Sequence, residues 1–272
     1  MPTEGPEDAN SANPLVIVKG PVAVLLLNAR EKKNALPLAA WQRFPEVLSG
    51  LQQDPDIRVC VVKGAGGKSF CAGADISEFE AIRSSPEAAK RYDDINVAAF
   101  KALKALSVPV IAAIEGPCLG GGLGLALACD IRIAAQSAFF GIPAARLGLA
   151  YPPEALSDLL EAVSLSDAKQ LLFTAERVSA DKALQIGLIN EVVAEGELDR
   201  RIAALCATIS SNAPLSLKAA KHALDHLARP TGTTDLGAAL QNAQTCIDSE
   251  DYREGYRAFL ESVLPSSRDA EL

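Results

Sequence analysis

Histidine is almost absent from this chain: 272 residues hold only two, His222 and His226. Their i, i+4 spacing sets both on one face of a late helix. The HExxH pattern that turns such a pair into a zinc site is missing, so a solvated helix face is expected and no metal centre. Cysteine occurs six times, as Cys60, Cys71, Cys118, Cys129, Cys206 and Cys246, but never as a CxxC pair and several times within apolar runs. That argues against a disulfide scaffold and fits buried free thiols in a reducing cytoplasm. Basic residues are in deficit, 26 against 34 acidic ones, for a net charge of −8. Nucleic-acid binding calls for a basic excess or stripe, so no such partner is expected. Long apolar runs are lacking too: each is interrupted by Gly, Pro or charge, which speaks against a membrane span. Residues 1–14 have neither an apolar h-region nor an arginine-rich amphipathic pattern, and read as a disordered polar tail. Neither GxGxxG nor a Walker loop is found, so a nucleotide phosphate is not the default ligand.

What is present is a globular balance, 49% hydrophobic and 22% charged, enough for a substantial core. Leu15–Val18 and Val22–Leu27 flank a Lys-Gly-Pro turn and predict a hairpin. Ile57–Val62, Val108–Ile114, Ile131–Ala135 and Leu188–Val193 predict strands, with helices over Leu38–Leu51, Ile95–Leu106 and Gly121–Cys129 between them. This alternation predicts an α/β core with a partly parallel sheet. After about Pro152 the pattern turns helical: Asp158–Val163, Asp167–Thr174, Ala180–Ile186, Leu198–Ile209, Leu215–Leu227, Leu236–Ile247 and Tyr252–Leu260.

Three glycine-bearing segments can carry chemistry. The first runs from Lys68 to Ile76 after the strand at Ile57–Val62, and the second from Glu115 to Gly122 after the strand at Val108–Ile114. The third runs from Phe139 to Pro143 and on to Tyr151. Loops that follow parallel strands are where α/β folds form ligand crevices. Gly120–Gly122 directly precedes an apolar helix, so its N–H groups lie at the positive helix end. One N–H from each of the first two loops, aimed at a common point, makes an oxyanion hole. Read from residues alone, either loop by itself is more simply a tight turn that needs glycine.

The order of these segments resembles the crotonase (enoyl-CoA hydratase/isomerase) superfamily, from about Leu15 to Phe259. The stretch Asn28–Leu36 is similar to that family's first coenzyme A loop, and Phe173-Thr174, Ser179-Ala180, Ala183 and Gly187-Leu188-Ile189 to a later signature. The resemblance implies a repeated ββα spiral core over residues 15–200, then a helical trimerisation region over 201–272. It implies an acyl-CoA thioester as the ligand, with coenzyme A arriving as part of the substrate and no separate cofactor. A homotrimer or homohexamer follows from the same likeness. The family's oxyanion donors map onto Ala74 and Gly121, and its coenzyme A contacts onto Ala35, Ala72, Gly73, Asp75, Ile76 and Gly120, with the adenine in the Ala72–Ile76 loop. Lys32 and Lys33 are either partners for coenzyme A phosphates or ordinary solvated charge.

Two positions depart from the family. Its hydratases carry one glutamate three residues after the middle glycine and another after the proline of the third segment; here these are Gly124 and Ala144. Neither residue transfers a proton, so standard hydration is not expected. Decarboxylase- or isomerase-like chemistry at an enolate, a hydratase with a relocated base such as Glu154, and a silent acyl-CoA-binding or assembly protein remain as readings. Tyr151 stands where some decarboxylases of the superfamily carry a tyrosine, and is read either as a catalytic hydroxyl or as a packed side chain. Glu154 reads as a helix-start carboxylate, and Glu78 as part of a solvated segment. The basic residues that often follow the family's Phe-Leu-Glu run are absent after Phe259-Leu260-Glu261.

Overall fold

A computed structural model describes residues 14–228 together with Gln241, Thr245, Ser249 and Glu250. The strands are β1 (Leu15–Lys19), β2 (Val22–Leu27), β3 (Val59–Gly64), β4 (Val110–Ile114), β5 (Pro117–Leu119), β6 (Ile131–Ala135), β7 (Phe139–Gly141), β8 (Val178–Ser179) and β9 (Glu191–Val193). The helices are α1 (Leu38–Gln53), α2 (Phe79–Ile82), α3 (Pro86–Lys104), α4 (Gly121–Leu127), α5 (Pro153–Ala162), α6 (Leu165–Thr174), α7 (Ala180–Gln185), α8 (Leu198–Ser211) and α9 (Pro214–Ala228).

The β1–β2 hairpin turns at Gly20, whose φ of +58° costs a glycine little. From there a six-stranded sheet grows in the order β1-β2-β3-β4-β6-β9, parallel in every pairing after the hairpin. β2 alternates half-buried and buried residues, whereas all of β4 is buried. That difference is what separates a strand near the edge from a central one covered on both faces. A second sheet is small, β5-β7-β8. Its strands are two or three residues long, too short to show a period, and the sequence reading misses all of them.

The two sheets together make the repeated ββα path. A strand of the large sheet, a short strand or bridge of the small layer, and a helix recur: β4, β5 and α4; β6, β7 and α5. The turn beginning at β3 has the isolated bridges Cys71–Cys118 and Ala74–Leu36 in place of a second strand, then α2 and α3. The core beneath is built around Trp41, Phe44, Phe70, Phe140 and Leu123, all fully buried.

Helix ends account for two boundary differences. α3 begins at Pro86, well before the apolar stripe at Ile95, because Ser85 caps it by accepting from the Ala88 N–H at 3.2 Å and Pro86 takes the first turn. α5 starts at Pro153 for the same proline reason, ahead of the expected Asp158. Lys104 then ties α3 to α5 through Asp158 and Glu161, each at 2.7 Å.

The chain divides into two units, Met1–Ile209 and Ser210–Leu272. The expected boundary after residue 200 falls inside α8, which buries Leu198, Ile202, Cys206 and Ile209. In the second unit, α9 carries His222 and His226 with their rings parallel and 6.4 Å apart. The expected tail (1–14, but for Pro14) and the helices expected at Leu236–Ile247 and Tyr252–Leu260 lie outside the described residues, isolated positions aside. No described helix is long and apolar enough to cross a membrane.

Candidate active site

The site is assembled from the loops that leave the parallel strands. After α1's predecessor loop turns at Lys33 and Asn34, both with positive φ (+54° and +57°), the chain pairs with the loop that follows β3. The Leu36 N–H donates to Gly73 O at 2.8 Å, and the Asp75 N–H to Leu36 O at 3.0 Å. The Ala72 N–H and the Ser69 hydroxyl both donate to Lys33 O, at 3.0 and 2.8 Å. Asn34 locks the two loops from inside. Fully buried, it donates to Ala65 O (3.1 Å) and Ser69 O (2.8 Å), and its oxygen accepts from the Ala29 N–H at 3.0 Å.

The β3 loop is laced in turn to the β4 loop. Cys71 pairs with Cys118: the Cys71 N–H donates to Pro117 O, and the Leu119 N–H to Cys71 O, each at 3.0 Å. The third segment joins where the Gly120 N–H donates to Gly141 O at 2.9 Å. Three chain segments thus behave as one hydrogen-bonded body around Gly73, Ala74, Gly120 and Gly121.

Glycine is required at the contact. Gly73 has φ +98°, and a Cβ there would lie 2.9 Å from Leu119 O and 3.3 Å from the Gly121 nitrogen. A Cβ on Gly121 would lie 3.1 Å from Trp41 Cζ2, so the indole ring supports that glycine from beneath. Trp41 is itself fixed by its Nε1–H bond to Leu36 O at 3.0 Å. Among the described residues, neither the Ala74 N–H nor the Gly121 N–H has an acceptor. Gly121 opens α4, so its N–H also lies at the positive helix end.

The charged and polar residues surround this contact in defined roles. Asp75 is buried, caps the short 3₁₀ turn Ile76–Glu78 and takes an ion pair from Lys32. The Lys32 ammonium, then the Ser77 hydroxyl, hold the Asp75 carboxyl below its usual range. Lys33 and Ile76 are exposed, Ala35 is buried, and Ala72 and Gly120 are partly buried. Glu78 corrects the sequence reading. It is no solvated bystander, because its carboxylate accepts from the Leu38 N–H at 2.7 Å and so caps α1, which has no side-chain cap of its own at Pro37.

Comparison with known proteins settles the family. Residues 18–269 match the family described as enoyl-CoA hydratase/isomerase. The chain belongs to the enoyl-CoA hydratase/isomerase family. It is 35% identical over 249 residues to the short-chain-enoyl-CoA hydratase of Clostridium acetobutylicum, covering 92% of this chain and 95% of that one. It is 34% identical over 212 residues to a peroxisomal Delta(3,5)-Delta(2,4)-dienoyl-CoA isomerase of Arabidopsis thaliana, covering 74% and 76%. A solved enoyl-CoA hydratase from Bacillus anthracis superposes with a TM-score of 0.81 at 32% identity, covering 91% of this chain and 96% of that one.

Within this enoyl-CoA hydratase/isomerase family fold, Gly124 and Ala144 have distinct surroundings. Gly124 is buried on α4, and a Cβ there would lie 2.6 Å from Cζ of Phe100. The Phe100 ring stands edge-on to Trp41 at 5.9 Å, so an aromatic wall fills the volume a side chain at position 124 would need. Ala144 packs against the core at the start of the 3₁₀ segment Pro143–Leu147. Tyr151 also packs on the core, and its hydroxyl donates to Gly120 O at 3.0 Å. Burial pushes its phenol well above the usual range. Glu154 lies in the first turn of α5, 3.7 Å from the Lys101 ammonium, with both side chains more than half exposed. Residue type and spacing point to the glycines; they do not reveal Asn34, Trp41 or Phe100, whose roles depend on contacts distant in sequence. Asn34 follows the charged run Arg30–Lys33 and offers no signal of burial in advance.

Proposed function

We propose that this protein is an acyl-CoA enzyme that stabilises a thioester enolate with the Ala74 and Gly121 N–H groups, without the two-glutamate hydration machinery. One observation carries the reading. Two neighbouring backbone donors lack acceptors among the described residues, and the positions onto which the resemblance maps the hydratases' carboxylates are Gly124, walled by Phe100, and Ala144. Backbone donors of this kind are worth about 10²–10³ in rate each, independent of any side-chain base.

Decarboxylation of a malonyl-type thioester suits such a site best. The bond between the α-carbon and the carboxylate breaks, and its electron pair passes to the thioester carbonyl as an enolate. CO₂ leaves, and a proton from solvent completes the acyl-CoA. No base has to remove a proton from carbon. Lys33, exposed and without an ion pair among the described residues, is the better placed cation for a coenzyme A phosphate, because Lys32 is engaged by Asp75. Ala35, Ala72, Gly73, Asp75, Ile76 and Gly120 complete the coenzyme A loop in this reading. A homotrimer or homohexamer belongs to the same reading, and the exposed Phe173, Leu165 and Leu160 offer apolar surface for association.

The test is incubation of the protein in D₂O with malonyl-, enoyl- and saturated acyl-CoA thioesters, with products followed by mass spectrometry. Loss of CO₂ from a malonyl-type thioester supports the proposal. Water addition to an enoyl-CoA overturns it in favour of a relocated base. Binding without any turnover or deuterium uptake overturns it in favour of a silent acyl-CoA-binding protein.

A further inference from the structure

The Gly120–Gly121 peptide is hydrogen-bonded asymmetrically. Its N–H, on Gly121, has no acceptor among the described residues, while its carbonyl oxygen, on Gly120, accepts twice. One donor is the Gly124 N–H at 3.1 Å, the first bond of α4. The other is the Tyr151 hydroxyl at 3.0 Å, brought in from the third segment. The two ends of a peptide group share one delocalised electron system. A donor at the oxygen draws density away from nitrogen and makes the N–H a stronger donor, as along any hydrogen-bonded chain.

Orientation matters as much as polarisation. Gly120 has φ +51° and ψ −119°, a region that L-residues with side chains avoid. Glycine reaches it freely and leaves it freely, so the plane of the following peptide has no steric lock of its own. The tyrosine ring is anchored in the core, and its hydroxyl holds the carbonyl end of that plane.

We propose that Tyr151 is a positioning residue for the oxyanion hole, acting through the Gly120 carbonyl to orient and polarise the Gly121 N–H, and not as a proton donor to the substrate. This rests on the oxyanion reading of Ala74 and Gly121 given above. Because burial keeps the phenol protonated, Tyr151 remains a donor across the neutral range.

The experiment uses a dimethylaminocinnamoyl-CoA thioester, whose absorption moves to longer wavelength as its carbonyl is polarised, so the readout needs no turnover. Wild-type protein is expected to redden the bound chromophore. Tyr151→Phe keeps the ring and removes the hydroxyl; it is expected to bind the thioester about as well but to redden it less. On a substrate that turns over, kcat should fall about three- to ten-fold with KM nearly unchanged, the size of one neutral hydrogen bond. Fluorotyrosine at Tyr151, a stronger donor of the same shape, should redden the chromophore more than wild type does. It also keeps the test decisive should Tyr151→Phe unfold. Equal reddening in all three proteins overturns the role of Tyr151 while leaving the oxyanion hole intact. A chromophore that binds the wild type with no shift at all overturns the oxyanion reading itself, and this inference with it.

Discussion

Phe100 excludes a side chain at Gly124: with its Cζ 2.6 Å from where a Cβ on Gly124 would stand, the Phe100 ring occupies that place. Gly124→Ala is therefore expected to destabilise the protein by about 1–3 kcal/mol through overpacking. In a Phe100→Leu background the same substitution should cost clearly less. Denaturant unfolding of the four proteins gives the coupling as a double-mutant cycle. Equal costs in both backgrounds would show that the ring is not the obstacle. Gly124→Glu alone is accordingly expected not to create hydratase activity.

At the Gly73–Gly121 contact, a single methyl group should be ruinous. Gly73→Ala combines a φ of +98° with a Cβ 2.9 Å from Leu119 O and 3.3 Å from the Gly121 nitrogen. The β3 loop has to back away, which displaces the Ala74 donor. Turnover should fall by about 10²-fold or more, the cost of losing one oxyanion donor, while far-UV circular dichroism stays as in the wild type. Activity within a few-fold of wild type would remove Ala74 from the site.

The Lys32–Asp75 pair sets a pH dependence. Its hydrogen bonds to Lys32 and then Ser77 lower the Asp75 pKa in the folded state, so its contribution to stability is complete above the unfolded carboxylate value, about 3.9, and is lost as pH falls through the lower folded value. The Asp75 hydrogen bond raises Lys32, so that half is complete below about 10.4 and lost only as pH rises through its raised folded value. Urea midpoints of wild type and Asp75→Asn should differ by a constant amount across the neutral range and converge in acid. A gap that persists undiminished under acid conditions would mean that Asp75 acts through packing and not through charge.

Glu154 sits far out on its helix turn, loosely facing Lys101 at 3.7 Å. Glu154→Gln is expected to keep turnover within about two-fold and to change stability by less than about 1 kcal/mol, as for other exposed pairs. Collapse of turnover with retained thioester binding would make Glu154 the relocated base.

Much of this architecture is legible in the sequence because its strands and helices carry long periodic patterns. Val22–Leu27, Ile131–Ala135 and the apolar stripe of α3 declare themselves that way. The glycines of the two loops are legible as well, since φ values such as +98° at Gly73 and +51° at Gly120 leave little choice of residue. What stays hidden is whatever depends on a partner far along the chain. Asn34 reads as one more loop residue until Ala65 and Ser69 close on it. Glu78 looks solvated until the uncapped end of α1 appears beside it. The Tyr151 hydroxyl has two meanings in sequence, and its bond to Gly120 O comes into view only once the third segment is folded against the second.

The Cys71–Cys118 ladder also gives the site a clock. Burial pushes the Cys71 thiol up to about 12 and raises Cys118 well above its usual range, so neither supplies appreciable thiolate while the loops are joined. The thiolate is the form that attacks alkylating reagents, and these two sulfurs become reactive only when the strands bearing them part. The same parting separates Gly73 from Gly121. The rate at which Cys71 and Cys118 are alkylated therefore measures how often the folded protein parts the two loops that carry the proposed donors Ala74 and Gly121, and a bound thioester should slow that rate in proportion to how tightly it holds the two loops together.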